Sequence, residues 1–264
     1  ELKKAGWDAI VFHGVSDTPV YLNINDDTVE LRDASGLWGK ITGDVQAAIR
    51  EELGDQRVRV AQIGPAGEHL VKFANVMNDL TEAAGRTGMG AVMGSKKVKA
   101  IAVRGTKKIE LADDRALHGI SKWVGETLDT VHKNFHEYGT GAAMQGKSFE
   151  GGLPALNWRE GSMEDVRKVD AIAVHDEVLN EMGACFACSV RCKKVVQIEK
   201  RQEEAGTTRK GKQIAFDPKG RYSVDPQYGG PEYESLASLG TNLGVNDIVA
   251  LCKSNEVCNY LGMD

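Results

Sequence analysis

A chain of 264 residues can bury one large core or two modest ones, and 41% hydrophobic with 27% charged residues is the balance of an ordinary globular protein. No run approaches 18 uninterrupted apolar residues, so no membrane-spanning helix is expected. A net charge of −5 gives no general attraction to phosphate backbones or anionic lipid, which makes small molecules and proteins, rather than nucleic acid, the expected partners.

The chain opens on Glu1-Leu2-Lys3-Lys4, with neither Met nor a secretory profile, and stops after a periodic apolar run; the expectation is an internal piece of a longer protein. Five cysteines, three of them within eight residues, are unlike the spread, even set of a disulfide scaffold. A reducing cytoplasm is the expected compartment.

The first hundred residues read mostly as strand. Ala9-Ile10-Val11-Phe12 is one candidate, and Val20-Tyr21-Leu22-Asn23-Ile24 with Val29-Glu30-Leu31 form a hairpin across the turn residues Asn25-Asp26-Asp27. Residues 44–53 carry apolar side chains at helical spacing, with Gly54 as the stop. Val58-Arg59-Val60-Ala61-Gln62-Ile63 returns to strand alternation, and residues 99–104 add another strand. Beyond Gly105 helical periodicity takes over, at residues 113–138, 169–182 and 246–261. The reading is α+β: a β-rich, mixed-sheet domain over 1–107, followed by a mainly α-helical domain over 108–264. Residues 193–221, with nine Lys/Arg against four Asp/Glu and the turn Asp217-Pro218-Lys219-Gly220, read as a solvated, basic excursion.

The strongest chemical signal is Cys185-x2-Cys188-x3-Cys192, which can aim three soft thiolates at one centre, as an iron–sulfur cluster requires. A zinc knuckle completed by a histidine, or three buried small hydrophobes, are the alternatives. A cubane needs a fourth ligand, and Cys252 and Cys258, on a predicted helix among apolar residues, read as packing cysteines. The segment Gly85-Arg86-Thr87-Gly88-Met89-Gly90-Ala91-Val92-Met93-Gly94 packs four glycines into ten residues and is followed by Ser95, Lys96 and Lys97. Such backbone can approach a ligand closely, and Arg86, Lys96 and Lys97 can neutralise phosphate. It matches neither the dinucleotide fingerprint nor the Walker pattern, and a tight turn where helix packs on sheet is the plain alternative. The six histidines are scattered; only His132 and His136 share a helical face, which reads as solvated, and Trp158 reads as a packing residue.

Ala83-Ala84-Gly85-Arg86-Thr87-Gly88-Met89-Gly90, the cysteine triplet and Gly230-Pro231-Glu232-Tyr233-Glu234, in that order, resemble the aldehyde:ferredoxin oxidoreductase family. So do Leu153-Pro154 with Asn157-Trp158, Leu243-Gly244-Val245-Asn246-Asp247, and the terminal Asn259-x2-Gly262-Met263-Asp264. The resemblance implies tungsten or molybdenum held by two pterins, a magnesium ion bridging the pterin phosphates, and one [4Fe-4S] cluster whose fourth cysteine comes from a third domain. It assigns Cys185, Cys188 and Cys192 to the cluster, and Ala83, Ala84, Gly85 and Arg86 to the magnesium and phosphates. Asn259, Gly262 and Asp264 match a pterin-binding motif, with Asn in place of its first Asp, and Glu82 stands where relatives often carry Arg. Glu234, with Glu232 as second candidate, would be the active-site carboxylate; the plain alternative is two acids in a helical first turn. The implied activity interconverts aldehydes and carboxylates, with electrons leaving through the cluster to ferredoxin or an electron-transfer subunit, in a homo- or hetero-oligomer. A tungsten-dependent ring reductase acting on an aromatic acyl-CoA is the second reading, kept open by the basic excursion, and an iron–sulfur electron-transfer module without its own catalytic metal is a third.

Overall fold

The computed structural model describes residues 1–207 and 211–264, in two compact units: Glu1–Ala112 with Val257–Asp264, and Asp113–Glu256.

In the first unit a short helix α1 (Leu2–Ala5) precedes the hairpin β1 (Val20–Asn25) and β2 (Thr28–Asp33). Helix α2 (Thr42–Leu53), strand β3 (Arg59–Gln62), helix α3 (Pro65–Glu68), strands β4 (Val76–Asn78) and β5 (Glu82–Ala84), helix α4 (Met89–Ser95) and strand β6 (Val98–Arg104) follow. They build a six-stranded mixed sheet in the order β2-β1-β6-β3-β4-β5, in which β1 and β6 run parallel and the other neighbours antiparallel. The hairpin closes as its turn residues require: Asp26 takes a left-handed conformation at φ 49°, and its carboxylate accepts from the Thr106 backbone at 2.8 Å. Helix α2 ends at Gly54, left-handed at φ 65°.

Side chains on one face of the sheet, including Tyr21, Val60, Ala100 and Ala102, pack with Val45 and Ile49 of α2; Leu22, Ile24 and Val103 form a second cluster with Ala5. Strand β6 is central and mostly buried, which explains its nearly unbroken apolar run. The expected strand at Ala9-Ile10-Val11-Phe12 does not form. Ile10 and Phe12 pack against the second cluster while Val11 is 73% exposed, so the alternation records burial of one side without a ladder partner.

In the second unit Asp113 caps α5 (Asp114–Val131) by accepting from the Ala116 amide at 2.8 Å. The helix breaks at His132 and resumes as α6 (Lys133–Tyr138); α7 (Met144–Phe149) and α8 (Ala171–Ala173) follow. The helix expected over 169–182 runs only through one π turn at Val174–Val178. It then becomes strand β7 (Leu179–Gly183), because β8 (Lys193–Val196) offers it an antiparallel partner. Here the solvated excursion is corrected: Val196 and Ile198 are fully buried in the core of this unit, at 0% and 1% exposure. The two-residue strands β9 (Ile198–Glu199) and β10 (Ala215–Phe216) pair in parallel. Between them residues 201–204 and 211–213 are exposed, and Thr208, Arg209 and Lys210 of the excursion lie outside the described residues. The Asp217-Pro218-Lys219-Gly220 turn winds round a buried carboxylate: Asp217 accepts from the backbone of Lys219, Arg221 and Tyr222 at 2.9, 2.8 and 3.0 Å. Burial alone would raise its pKa, but these donors and the Arg221 guanidinium hold it below the ordinary carboxylate range. Helix α9 (Tyr233–Ser235) runs into a π turn at Leu236–Gly240, and α10 (Ile248–Leu261) closes the chain. No helix among the described residues is long and apolar enough to cross a membrane.

One buried ion pair braces the first unit. Lys99, with a wholly buried side chain, donates to the Glu68 carboxylate and, at 3.1 Å, to the Lys40 carbonyl, while Glu68 accepts from the Gly39 amide at 2.8 Å. Breaking such a pair strands a charge in an apolar interior. Lys99→Met is expected to cost about 3–5 kcal/mol in urea denaturation, and Lys99→Met with Glu68→Leu to cost distinctly less.

Candidate functional site

In the first unit the glycine-rich segment begins at the sheet edge. Strand β5 is the terminal strand, and Ala83 and Ala84 on it are exposed. The chain turns through a 3-10 helix at Arg86–Gly88, with Thr87 at φ 74° and Gly88 at φ 71°, before entering α4. A Cβ on Gly94 would collide with the Gly67 carbonyl of α3, so small residues let the two short helices meet backbone to backbone. Lys96 and Lys97, expected as phosphate-neutralising charges, are drawn away: their ammonium groups donate to the carbonyls of Gly14 at 3.1 Å and Asp17 at 2.7 Å. Arg86 is exposed beside the turn.

The terminal motif folds onto this edge. The Asp264 amide donates to the Phe73 carbonyl at 2.9 Å, the Asn75 amide to the Gly262 carbonyl at 2.9 Å, and the Asn75 side-chain amide to the Met263 carbonyl at 2.8 Å. Thr42 donates to the Asn259 carbonyl at 3.1 Å. Gly85 lies so close to the Asp264 carboxylate that any Cβ there would overlap it. Ala83, Ala84, Gly85, Arg86, Asn259, Gly262 and Asp264 are thus gathered round one edge of one unit. The Asn75 side-chain oxygen is buried there without a hydrogen-bond partner among the described residues. Cys258 also belongs to this unit, its thiol pKa pushed up by burial and by Asp264, and Cys252 in the other unit is 1% exposed with its pKa raised by burial; both suit packing.

In the second unit the cysteine triplet occupies the loop joining β7 to β8, whose last register pair is Gly183 with Lys193. Ala187 and Arg191, each immediately before a cysteine, take left-handed conformations at φ 55° and 50°, and the Cys188 amide donates to the Cys185 carbonyl at 3.1 Å. The Arg191 guanidinium donates to the Met182 carbonyl at 3.1 Å, and a ring nitrogen of His136 meets the Val190 carbonyl, so His136 is not on a solvated face as expected. Burial, and less strongly the Glu232 carboxylate, raise the Cys192 thiol pKa. No three His, Cys, Asp or Glu side chains among the described residues close tightly enough for a single metal ion. None of the five cysteines forms a disulfide among the described residues.

Glu232, at the N-cap of α9, lies 3.7 Å from the Lys193 ammonium and within the field of Cys192, whereas Glu234, in the first helical turn, is exposed. Lys194 is buried beside the same loop; burial lowers its pKa, while Glu232 and Cys192 oppose that. The stretches around Asn157 and Leu243 come together: the Asn157 amide donates to the Asn242 carbonyl at 2.7 Å and Thr241 to the Pro154 carbonyl at 2.6 Å. Leu156, Asn157 and Trp158 are consecutively left-handed, at φ 49°, 57° and 62°, and Trp158 is 66% exposed rather than packed.

Two family models match the chain: "Aldehyde ferredoxin oxidoreductase, N-terminal domain" over residues 1–105 and "Aldehyde ferredoxin oxidoreductase, domains 2 & 3" over residues 119–264. The chain belongs to the aldehyde ferredoxin oxidoreductase family. It is 39% identical to a tungsten-containing aldehyde ferredoxin oxidoreductase of Thermococcus kodakarensis and 38% identical to that of Pyrococcus furiosus, each match covering 100% of this chain and 40% of the relative. The chain therefore spans well under half the length of these relatives. Among solved structures it resembles the active site complex of benzoyl coenzyme A reductase in complex with 1,5-dienoyl-CoA, with a TM-score of 0.71 and 26% identity over 100% of this chain and 38% of that one.

The residues of this family member suit the groups its resemblance implies. The exposed edge strand, the position at Gly85 that a Cβ would fill, the Asp264 carboxylate, the exposed Arg86 and the unpaired buried oxygen of Asn75 combine donors, acceptors and a cation for an anionic, hydrogen-bonding ligand. Three partly exposed thiols on one loop are the donor chemistry of an iron–sulfur cluster. Sequence reasoning passed over Asn75, Lys194 and Gly139. A lone Asn, a Lys in a basic run and a Gly in a helical stretch carry no local signal. Gly85→Ala is expected to displace Asp264 and lower stability by about 1–3 kcal/mol, read as a reduced thermal midpoint, and Asp264→Gly in the same chain to restore most of the loss.

Proposed function

We propose that the complete protein is a tungsten- or molybdenum-bis-pterin oxidoreductase of the cytoplasm that interconverts aldehydes and carboxylates, passing electrons singly to ferredoxin or a partner subunit. The observation that carries this reading is the seating of the terminal motif on the glycine-lined edge of the sheet, which assembles Gly85, Arg86, Asn259, Gly262 and Asp264 from distant parts of the chain. The names of relatives from Thermococcus kodakarensis and Pyrococcus furiosus support the choice of metal and substrate class.

When bound, the metal bis-pterin supplies two-electron chemistry at the substrate carbonyl carbon and the cluster accepts electrons one at a time. The chain's own residues bind and orient these groups. The backbone of Ala83, Ala84 and Gly85, with Arg86, would hold pterin phosphate and its magnesium ion, while Asp264, Gly262 and Asn259 would hold a pterin edge. An amide at Asn259 both donates and accepts, so it retains a hydrogen bond that an aspartate would only accept. Cys185, Cys188 and Cys192 would supply three ligands of a [4Fe-4S] cluster. Glu234 is the favoured proton-transfer carboxylate, taking a proton from the water that adds to the aldehyde carbonyl and returning it in the reverse direction. Glu232, engaged with Lys193, is the second candidate.

A second reading, reduction of an aromatic acyl-CoA ring, is favoured by the structural likeness to benzoyl coenzyme A reductase. Anaerobic purification of the complete protein, elemental analysis and dye-linked assays separate the possibilities. Tungsten or molybdenum with about four irons per chain and turnover of simple aldehydes are expected. Turnover of benzoyl thioesters alone would select the ring reductase, and iron without tungsten or molybdenum would reduce the protein to an electron-transfer module.

A further inference from the structure

Strand β8 alternates between outward and inward residues, and Lys194 occupies an inward position next to the fully buried Val196. Its side chain ends beside the cysteine loop: Lys194 is 4% exposed and donates to the Cys192 carbonyl at 3.3 Å. Gly139 walls it in, for a Cβ there would lie 2.6 Å from the Lys194 nitrogen and 2.6 Å from the Cys192 oxygen. An ammonium has three protons to place, and a single long bond to a carbonyl uses one. Among the described residues no carboxylate pairs with it directly; Glu232 acts from further off and lies 3.7 Å from Lys193.

A cation in so dry a place is costly unless an anion faces it. Thiolate-ligated iron–sulfur clusters are anionic in both oxidation states, and more so when reduced. Net charge close to a cluster is one of the levers that sets its potential. We propose that Lys194 is a positioning residue for the cluster held by Cys185, Cys188 and Cys192, its buried ammonium favouring the reduced form and raising the reduction potential. The inference rests on the iron–sulfur reading above. When bound, the cluster would supply one-electron storage; no bond forms or breaks at Lys194, and its proton stays in place.

The test is a redox titration of the complete, anaerobically purified protein, following the electron paramagnetic resonance of the reduced cluster, with iron measured in every sample. Lys194→Met is expected to raise the oxidised-to-reduced ratio at a fixed potential about tenfold, which for one electron is a midpoint lowered by about 59 mV. Lys194→Arg keeps the wild-type midpoint, Glu232→Gln moves it upward, and Lys193→Met, whose ammonium is less buried, moves it less than Lys194→Met. Equal midpoints for wild type and Lys194→Met, both with full iron, would overturn the inference, as would an equally large drop from Lys193→Met. If Lys194→Met retains no iron, Lys194→Gln, which keeps a polar head without the charge, decides: an unmoved or raised midpoint overturns the inference, and a lowered one upholds it. A wild-type protein without iron or cluster signal defeats the iron–sulfur reading and this inference together, an outcome distinct from an intact cluster that ignores Lys194.

Discussion

The meeting of Gly85 with the Asp264 carboxylate is the constraint from which the chemistry of the first unit follows. A strand edge, a left-handed turn and the segment ending in Gly262-Met263-Asp264 can share that space only because no Cβ stands between them. Asn75 completes the arrangement, bonding the Gly262 and Met263 carbonyls through its backbone and side-chain amides and keeping a bare, buried oxygen. Backbone groups rather than side chains thus dominate the contacts at this edge.

The cysteine loop solves a different problem. Its ends are clamped by a hairpin, while two non-glycine residues, Ala187 and Arg191, adopt left-handed conformations that cost roughly 1–2 kcal/mol each. Such strain persists where surrounding contacts overdetermine the backbone, and here the Arg191 and His136 contacts do so. The same holds at Leu156, Asn157 and Trp158, where bonds to Thr241 and Asn242 maintain three left-handed residues in succession.

What the sequence made legible was local. The hairpin at Asp26, the Gly54 stop of α2, the strand over residues 99–104 and the Asp113 start of α5 are written in neighbouring residues, and they form as read. What escaped was decided by distant partners. Leu179–Gly183 carries helical spacing yet pairs with β8, and Ile10 and Phe12 alternate without a neighbour to bond. Lys194 reads as a solvated charge in a basic run, and only strand parity turns it inward. At the candidate site the motif residues could be named in advance, but the tether from Asn75 could not, since a single asparagine announces nothing.

Helix α10 begins in one unit and ends in the other: Ile248 to Glu256 count with the second, and from Val257 onward the chain belongs to the first. The sheet unit is therefore discontinuous along the polypeptide. A ribosome that has already released strands β1 to β6 must still make the entire helical unit before the strip that docks against Phe73 and Asn75 emerges. Until then the backbone groups of Phe73 and Asn75 that bond this strip lack those partners. Assembly of this edge is in this way timed by translation.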